Sequence, residues 1–241
     1  MIPKTHPRYA SLKTRNLIAG GIRKGITSMH GLIAHGRGEA FDYLLGEKTN
    51  SFAKKSIGAA AAMLLLAEKP VISVNGNTAA LVPKEIVKLS ETIPAKLEVN
   101  IFHPSKKREL KIKEHLIKNG AKNVLLPGKK YKIKFLESNR KYANPDGILK
   151  ADVVFVPLED GDRAEALVKN GKKVITIDLN PLSRTSRKAT ITIADNIIRA
   201  VPLLIKTIKE YKKYNKSKLI KIIKKYDNEK MLKAALAGIR P

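Results

Sequence analysis

The chain has 241 residues, no cysteine, no tryptophan and a formal net charge of +27. Disulfides and thiolate metal sites are therefore excluded. The longest apolar run, 59–67, falls short of the roughly 20 residues of a membrane span, and MIPKTHPRYA lacks the apolar region of a signal peptide, so a soluble cytoplasmic protein with no membrane partner is expected.

The charge suits phosphate contacts to nucleic acid, a small-molecule site for several anions, or a lysine-rich background. Aromatics make up only 5% and form no stacking pattern, which argues against nucleic acid as the main partner. A lysine-rich chain without glutamine also matches hyperthermophile composition.

Residues 5–67 read as mostly helical. Leu12, Leu17, Ile18 and Ile22 recur at helical spacing over 11–24. A second helical segment, opened by His35-Gly36-Arg37-Gly38-Glu39, ends at Gly46, and 51–68 forms a third, ended by Pro70. The alanine run 59–62 allows close packing against another element. From Val71 onward, apolar strand patterns alternate with helical ones. Strands are expected at 71–74, 97–102, 124–126, 152–156, 173–177 and near 190–194. Helices are expected at 83–90, 105–119, 163–169 and from Asp195. Residues 127–150, rich in Pro, Gly and Lys, read as a surface excursion. Beyond Lys212 a basic amphipathic helix and a second short helix, 229–237, form an extension. The expected fold is α/β: a Rossmann-like, mostly parallel sheet over 70–212, a helical segment over 1–69 and a basic helical tail over 213–241.

Runs such as Val153–Val156 and Val174–Ile177, without polar alternation, suit strands buried on both faces. Ligands bind beyond the carboxyl ends of such strands. Two polar segments follow them. In the first, Glu159, Asp160 and Asp162 form an acidic turn that either holds Mg²⁺ or an ammonium group, or supplies Asp162 as a helix N-cap. In the second, Asp178 ends a strand as a ribose-binding acid does, and Ser183, Arg184 and Thr185 suit a phosphate. The strand–turn–helix at Asn75-Gly76-Asn77 offers backbone N–H groups to an anion. Arg15, Arg37 and Arg163 stand out in a chain that otherwise prefers lysine, because arginine grips carboxylate or phosphate with two bonds. His35 suits phosphate binding or acid/base work, or a structural place. Dinucleotide, Walker A, HExxH and GxSxG signatures are all absent.

Five strings taken together, IPKTHPRY (2–9), GLIAHGRGEAFDYLLGE (31–47), PVISVNGNTAALVP (70–83), ADVVFVPLEDGDRAEALVKNGKKVITIDLNPLSRTS (151–186) and ADNIIRAVP (194–202), resemble the archaeal 4-phosphopantoate–β-alanine ligase family over about 2–208. The resemblance implies a homodimeric enzyme of coenzyme A biosynthesis that uses ATP and Mg²⁺. In such an enzyme the carboxylate of 4-phosphopantoate is adenylated with loss of diphosphate. The amine of β-alanine then displaces AMP, giving 4′-phosphopantothenate. It implies ATP contacts at Arg15, Arg37, Asp178, Leu179, Asn180, Arg184, Thr185 and Asn196. Catalytic roles are expected for Arg37, Arg184 and His35, and substrate or metal roles for Asn75, Asn77, Glu159, Asp160, Asp162 and Arg163, with no fixed protein ligand for the metal. Ala164 stands where many relatives carry threonine, so no hydroxyl acts there. The competing class is a basic nucleic-acid-binding module without catalysis.

Overall fold

A computed structural model describes residues 2–239. The chain opens with three helices, α1 (Tyr9–Arg23), α2 (Met29–Leu44) and α3 (Ser51–Leu66). The first half of the core follows: β1 (Val71–Val74), α4 (Gly76–Leu81), α5 (Pro83–Thr92), β2 (Lys96–Val99), α6 (Lys106–Lys118) and β3 (Val124–Leu125). A hairpin of β4 (Gly128–Lys132) and β5 (Tyr142–Ala143) leads into β6 (Val153–Phe155), α7 (Gly161–Lys169), β7 (Lys173–Ile177), α8 (Arg184–Lys188), β8 (Ile191–Ile193) and α9 (Ile197–Tyr211). Helices α10 (Lys216–Lys224) and α11 (Asn228–Gly238) end the described chain. Among the described residues no helix is long and apolar enough to cross a membrane.

Six strands form a parallel sheet in the order β3-β2-β1-β6-β7-β8. The expected Rossmann-like α/β fold is therefore present, and the strand order reverses between β1 and β6. Both faces are covered, which is why the strands are dominated by Val, Ile and Leu, with Ser73, Glu98, Thr176 and Thr192 as buried polar exceptions. Ile72, Val74, Phe155, Ile175 and Ile177 pack under α3 and α9. Val71, Val154, Val156 and Val174 pack on the other side with Ala166 and Leu167 of α7.

That second face corrects the reading of 127–150 as a surface excursion. Ile133, Leu136, Ala143 and Ile148 are buried there against the sheet, where α7 alone would leave apolar surface in water. Two short helices also went unread. The turn after β1 is already helical from Gly76, and the segment after β7 contains α8. Five or six residues are too few to show a helical period.

The tail is built onto the body. Helix α3 buries 11 of its 16 residues. Its alanine run packs closely, as expected, with Ala59–Ala62 almost fully buried. A helix apolar on most sides needs cover on most sides. Helices α10 and α11 supply it: Met231 and Ala235 join Phe52 and Ala53 in one cluster. The last two residues of the 213–241 extension lie outside the described residues.

Candidate active site

The reversal between β1 and β6 opens a crevice at their carboxyl ends, and the first side chain after β1 spans it. Asn75 accepts the Thr78 N–H (3.0 Å), capping α4, and donates Nδ2 to the carbonyls of Pro157 (3.0 Å) and Leu158 (2.9 Å) beyond β6. Helix α2 lies over the crevice, tied at both ends. At its start, Asn77 accepts the Thr27 hydroxyl (2.5 Å) and donates to the Gly31 carbonyl (2.8 Å). A Cβ at position 31 would overlap both side chains, so the approach requires glycine. At its end, Arg199 and the Asn196 amide both donate to the buried Asp42 carboxylate, and Asp195 holds the same arginine.

Two chambers lie beneath α2. The larger, about 550 Å³, is lined by His35, Arg37, Asp160, Asp178, Asn180 and Asn196, with Leu81, Leu158, Leu179 and Ile197 as apolar walls. Burial pushes the Asp178 carboxyl up, against hydrogen bonds from Ser183 Oγ (2.5 Å) and the Asn180 N–H (2.9 Å) and the nearby charge of Arg37. Burial pushes the His35 imidazolium down, with Glu39 opposing, and its Nε2 is buried without a hydrogen-bond partner. Arg37 is exposed to the chamber and makes no hydrogen bond or ion pair with any described residue. It is a cation left available.

The smaller chamber, about 290 Å³, is lined by Thr27, Ser28, His30, His103, Arg108 and Arg140, together with Asn75. The His30 and His103 rings lie 5.0 Å apart. Arg108 donates one nitrogen to the His103 carbonyl, while its Nε is buried and unpartnered. Ser28, His30, His103 and the spare donors of Arg108 suit an anion, while Arg140 is spent on Asn100, Glu159 and Asp160. Ala34, Arg37, Asn77, Leu158 and Asp160 line both chambers, so the two meet there.

The acidic turn is neutralised from within the protein. The Glu159 side chain has no exposure; Arg140 and Arg163 both bond to it, and its Oε1 accepts the Asp160 N–H (2.7 Å). Arg163 is itself fully buried and also donates to Ser73 (3.2 Å). Like charges crowded together need a cation, and here two arginines supply it. Among the described residues no group of three or more His, Asp or Glu side chains is placed to hold a metal. Asp162 is not the cap: α7 begins at Gly161, Asp160 holds the cap position, and neither aspartate makes a capping bond. Asp162 lies half-buried in the first turn, away from both chambers.

Of the residues singled out in the sequence, Arg37, His35, Asp178, Leu179, Asn180, Thr185, Asn196, Asn77, Glu159 and Asp160 meet at the larger chamber, and Asn75 at the smaller. Arg15 and Arg184 do not. Arg15 lies in an outer groove and binds Glu39 (2.9 Å). Hydrogen bonds from Arg15 and Tyr43 hold the Glu39 carboxyl below its usual range, overcoming its burial. Arg184 packs over Gly161 and binds Glu165 (2.5 Å), whose carboxyl falls to about 2 beside it. Sequence reasoning missed Arg108 and Arg140. The signal was present: both are arginines in a lysine-preferring chain, the rule that had picked out Arg37.

Comparison with known proteins identifies the family. A family model described as phosphopantothenate/pantothenate synthetase matches residues 52–241. The chain is 55% identical to a 4-phosphopantoate–β-alanine ligase of Thermococcus onnurineus, over 99% of this chain and 92% of the relative. It is 51% identical to the enzyme of that name from Methanosarcina mazei, over 99% and 94%. The parallel sheet, the cavity at its switch point and this identity over nearly the whole length place the chain in the phosphopantothenate/pantothenate synthetase family.

Proposed function

We propose that this protein joins 4-phosphopantoate to β-alanine at the expense of ATP, releasing AMP and diphosphate, as a step of coenzyme A biosynthesis in the cytoplasm. The observation that carries the reading is the pair of chambers meeting at Arg37. ATP takes the larger one. Its volume lies within the usual range of ligand sites, its apolar walls suit a base, and Asp178, Asn180 and Asn196 suit ribose and ring nitrogens. The phosphate of the acid substrate takes the smaller chamber, among Thr27, His30, His103 and Arg108. Its carboxylate then points to the junction, where the α-phosphate of ATP lies.

Charge builds on that phosphorus as the carboxylate attacks, and a cation placed in advance lowers the barrier. Arg37 is that cation, and no protein carboxylate needs to release it first. Mg²⁺ bound with ATP would add positive charge at the phosphates; with no carboxylate cluster among the described residues placed to hold it, the nucleotide itself would carry it. His35, neutral because of its burial, offers Nε2 as an acceptor. Arg15 acts through Glu39, and Arg184 reaches the nucleotide only by leaving Glu165.

The exposed face of α2 presents Met29, Ile33 and Leu44 at helical spacing, with Arg37 one turn on from Ile33 and Ala40 at the rim of the larger chamber. A second copy of the chain covers it, giving a homodimer.

The reading is tested by incubating the protein with ATP, Mg²⁺ and both substrates and following the nucleotide product. AMP is expected; ADP would indicate a kinase. Arg37→Ala is expected to lower turnover about 100-fold or more with unchanged circular dichroism, and retained turnover would remove Arg37 from the mechanism. The binding-module alternative is disfavoured, since relatives sharing more than half of the residues are ligases.

A further inference from the structure

Four carboxylates line the larger chamber: Glu39, Glu159, Asp160 and Asp178. Three are already engaged. Glu39 is held by Arg15 and Tyr43. Glu159 is sealed between Arg140 and Arg163. Asp178 is half-buried and bonded to Ser183 and Asn180. Asp160 differs. Its Oδ2 accepts a hydrogen bond from Arg140 (2.5 Å), its Oδ1 has no partner among the described residues, and its side chain is 43% exposed. It is also the one carboxylate, among the described residues, that lines the smaller chamber. It therefore stands at the junction, beside Arg37.

Under the ligase reading, on which this inference rests, a mixed anhydride of the acid and AMP forms at that junction. The third substrate must bring its nitrogen to the same place, and that nitrogen arrives as an ammonium ion. Arg37, Arg108 and Arg140 would repel it there, so it needs an anion within reach. We propose that Asp160 is the amine-recognition residue: its free oxygen receives the β-alanine ammonium and holds the nitrogen against the acyl carbon, while Arg140 fixes the other oxygen.

The step balances without any further reagent. The ammonium releases one proton to solvent, and the nitrogen lone pair forms the C–N bond. The C–O bond to the nucleotide phosphate breaks, and AMP leaves with that electron pair. The second proton on nitrogen passes through Asp160 to solvent.

The test separates the two half-reactions in the full-length protein carrying Asp160→Asn. Adenylation is read as exchange of labelled diphosphate into ATP with 4-phosphopantoate alone. Transfer is read with β-alanine, and with hydroxylamine, which is uncharged at neutral pH and needs no anion. We expect kcat/KM for β-alanine to fall about 100-fold, chiefly through KM, as for loss of a partner from a desolvated charge pair. Exchange and hydroxamate formation should change by less than about threefold on the same reasoning. An exchange rate that falls as far as amide formation would overturn the proposal and make Asp160 an adenylation or metal-binding residue; so would an unchanged KM for β-alanine. Asp160→Glu, which keeps the charge, should retain more transfer than Asp160→Asn, and equal losses in two folded variants would also overturn it. Absence of exchange in the unsubstituted protein would instead sink the ligase reading itself.

Discussion

Glu98 shows how one side chain shapes a second layer of the fold. It lies on β2 with no exposed surface, its Oε1 accepting the Asn144 N–H (2.8 Å) and its Oε2 the Ile148 N–H (2.7 Å). A Cβ on Gly147 would overlap this carboxylate, so only glycine lets the backbone come so near. Burial pushes the Glu98 carboxyl up to about 7, against those two donors and the charges of Arg163 and Lys172. Between pH 4.5 and 7 the folded chain keeps a proton that the unfolded chain has lost. Stability from this group is therefore full below about pH 4.5 and lost as pH rises through 7, by about 3 kcal/mol at most. Glu98→Gln removes the titration, and also one acceptor. Thermal unfolding at pH 5 and pH 7.5 checks this. The midpoint of the unsubstituted protein should fall relative to the variant by roughly 6–10 °C across that range. Parallel curves would mean that Glu98 stays charged throughout. None of this was legible in KLEV, where Glu98 reads as an ordinary polar strand residue; the donors that capture it come from 50 residues away in sequence. Arg140, reaching Glu159 and Asp160 out of a segment rich in lysine, was hidden for the same reason.

Elements were legible where a period could develop. The core strands read correctly because two-sided burial favours runs of Val, Ile and Leu, and the few buried polar residues among them do not alternate with the apolar ones. The polar cluster after β7 was legible too, since Asp178, Asn180 and Thr185 follow one strand within eight residues, and all three line the larger chamber. What failed was short or long-range: α4 and α8 are too brief, and the cover formed by 127–150 has apolar residues with no regular spacing. The tail offered an amphipathic pattern but no hint of its target. The structure supplies that target in Asn228. Its amide donates to the carbonyls of Ser186 (3.0 Å) and Ala189 (3.3 Å), while its oxygen accepts from the Thr192 N–H (2.7 Å) and the Tyr226 hydroxyl (3.0 Å). Ser186 in turn donates its hydroxyl to the Asn180 carbonyl and its N–H to Ser183 Oγ, which holds Asp178. If ATP takes the larger chamber as proposed, Asn228 acts as a positioning residue for it. Asn228→Ala should raise KM for ATP about fivefold, roughly 1 kcal/mol, with KM for β-alanine unmoved. Tyr226→Phe loses the bonds to Ser56, Asn228 and the Thr192 carbonyl but leaves the bond from Asn228 to α8. It should cost about 1 kcal/mol of stability and leave KM for ATP alone. If both variants lose stability and neither moves that KM, the tail is cover for α3 and nothing more.

For the molecule as a whole, the +27 charge and the bare stripe on α2 pull in opposite directions. Met29 and Ile33 are 61% and 63% exposed, and Leu44 50%. Apolar side chains in water gain by being covered, and in a two-fold dimer each residue of such a stripe counts twice. Two bodies of like charge repel, and added salt weakens that repulsion, since the screening length is about 8 Å at physiological ionic strength. The dimer should therefore tighten as salt rises, which is the reverse of an assembly held by ion pairs. Ile33→Glu removes the burial of one side chain and inserts a charge on each copy. At about 3 kcal/mol for each copy the loss is roughly 6 kcal/mol, or four orders of magnitude in the dissociation constant. Sedimentation at micromolar concentration reads it directly: the unsubstituted chain should run at twice the mass of the variant, and the gap should narrow when salt is withdrawn. Because Arg37 lies on the same helix, one turn on from Ile33, the variant should also turn over more slowly at concentrations where it is monomeric. A monomer in the unsubstituted protein, at every salt concentration, would leave the stripe without an occupant and remove the dimer from the account.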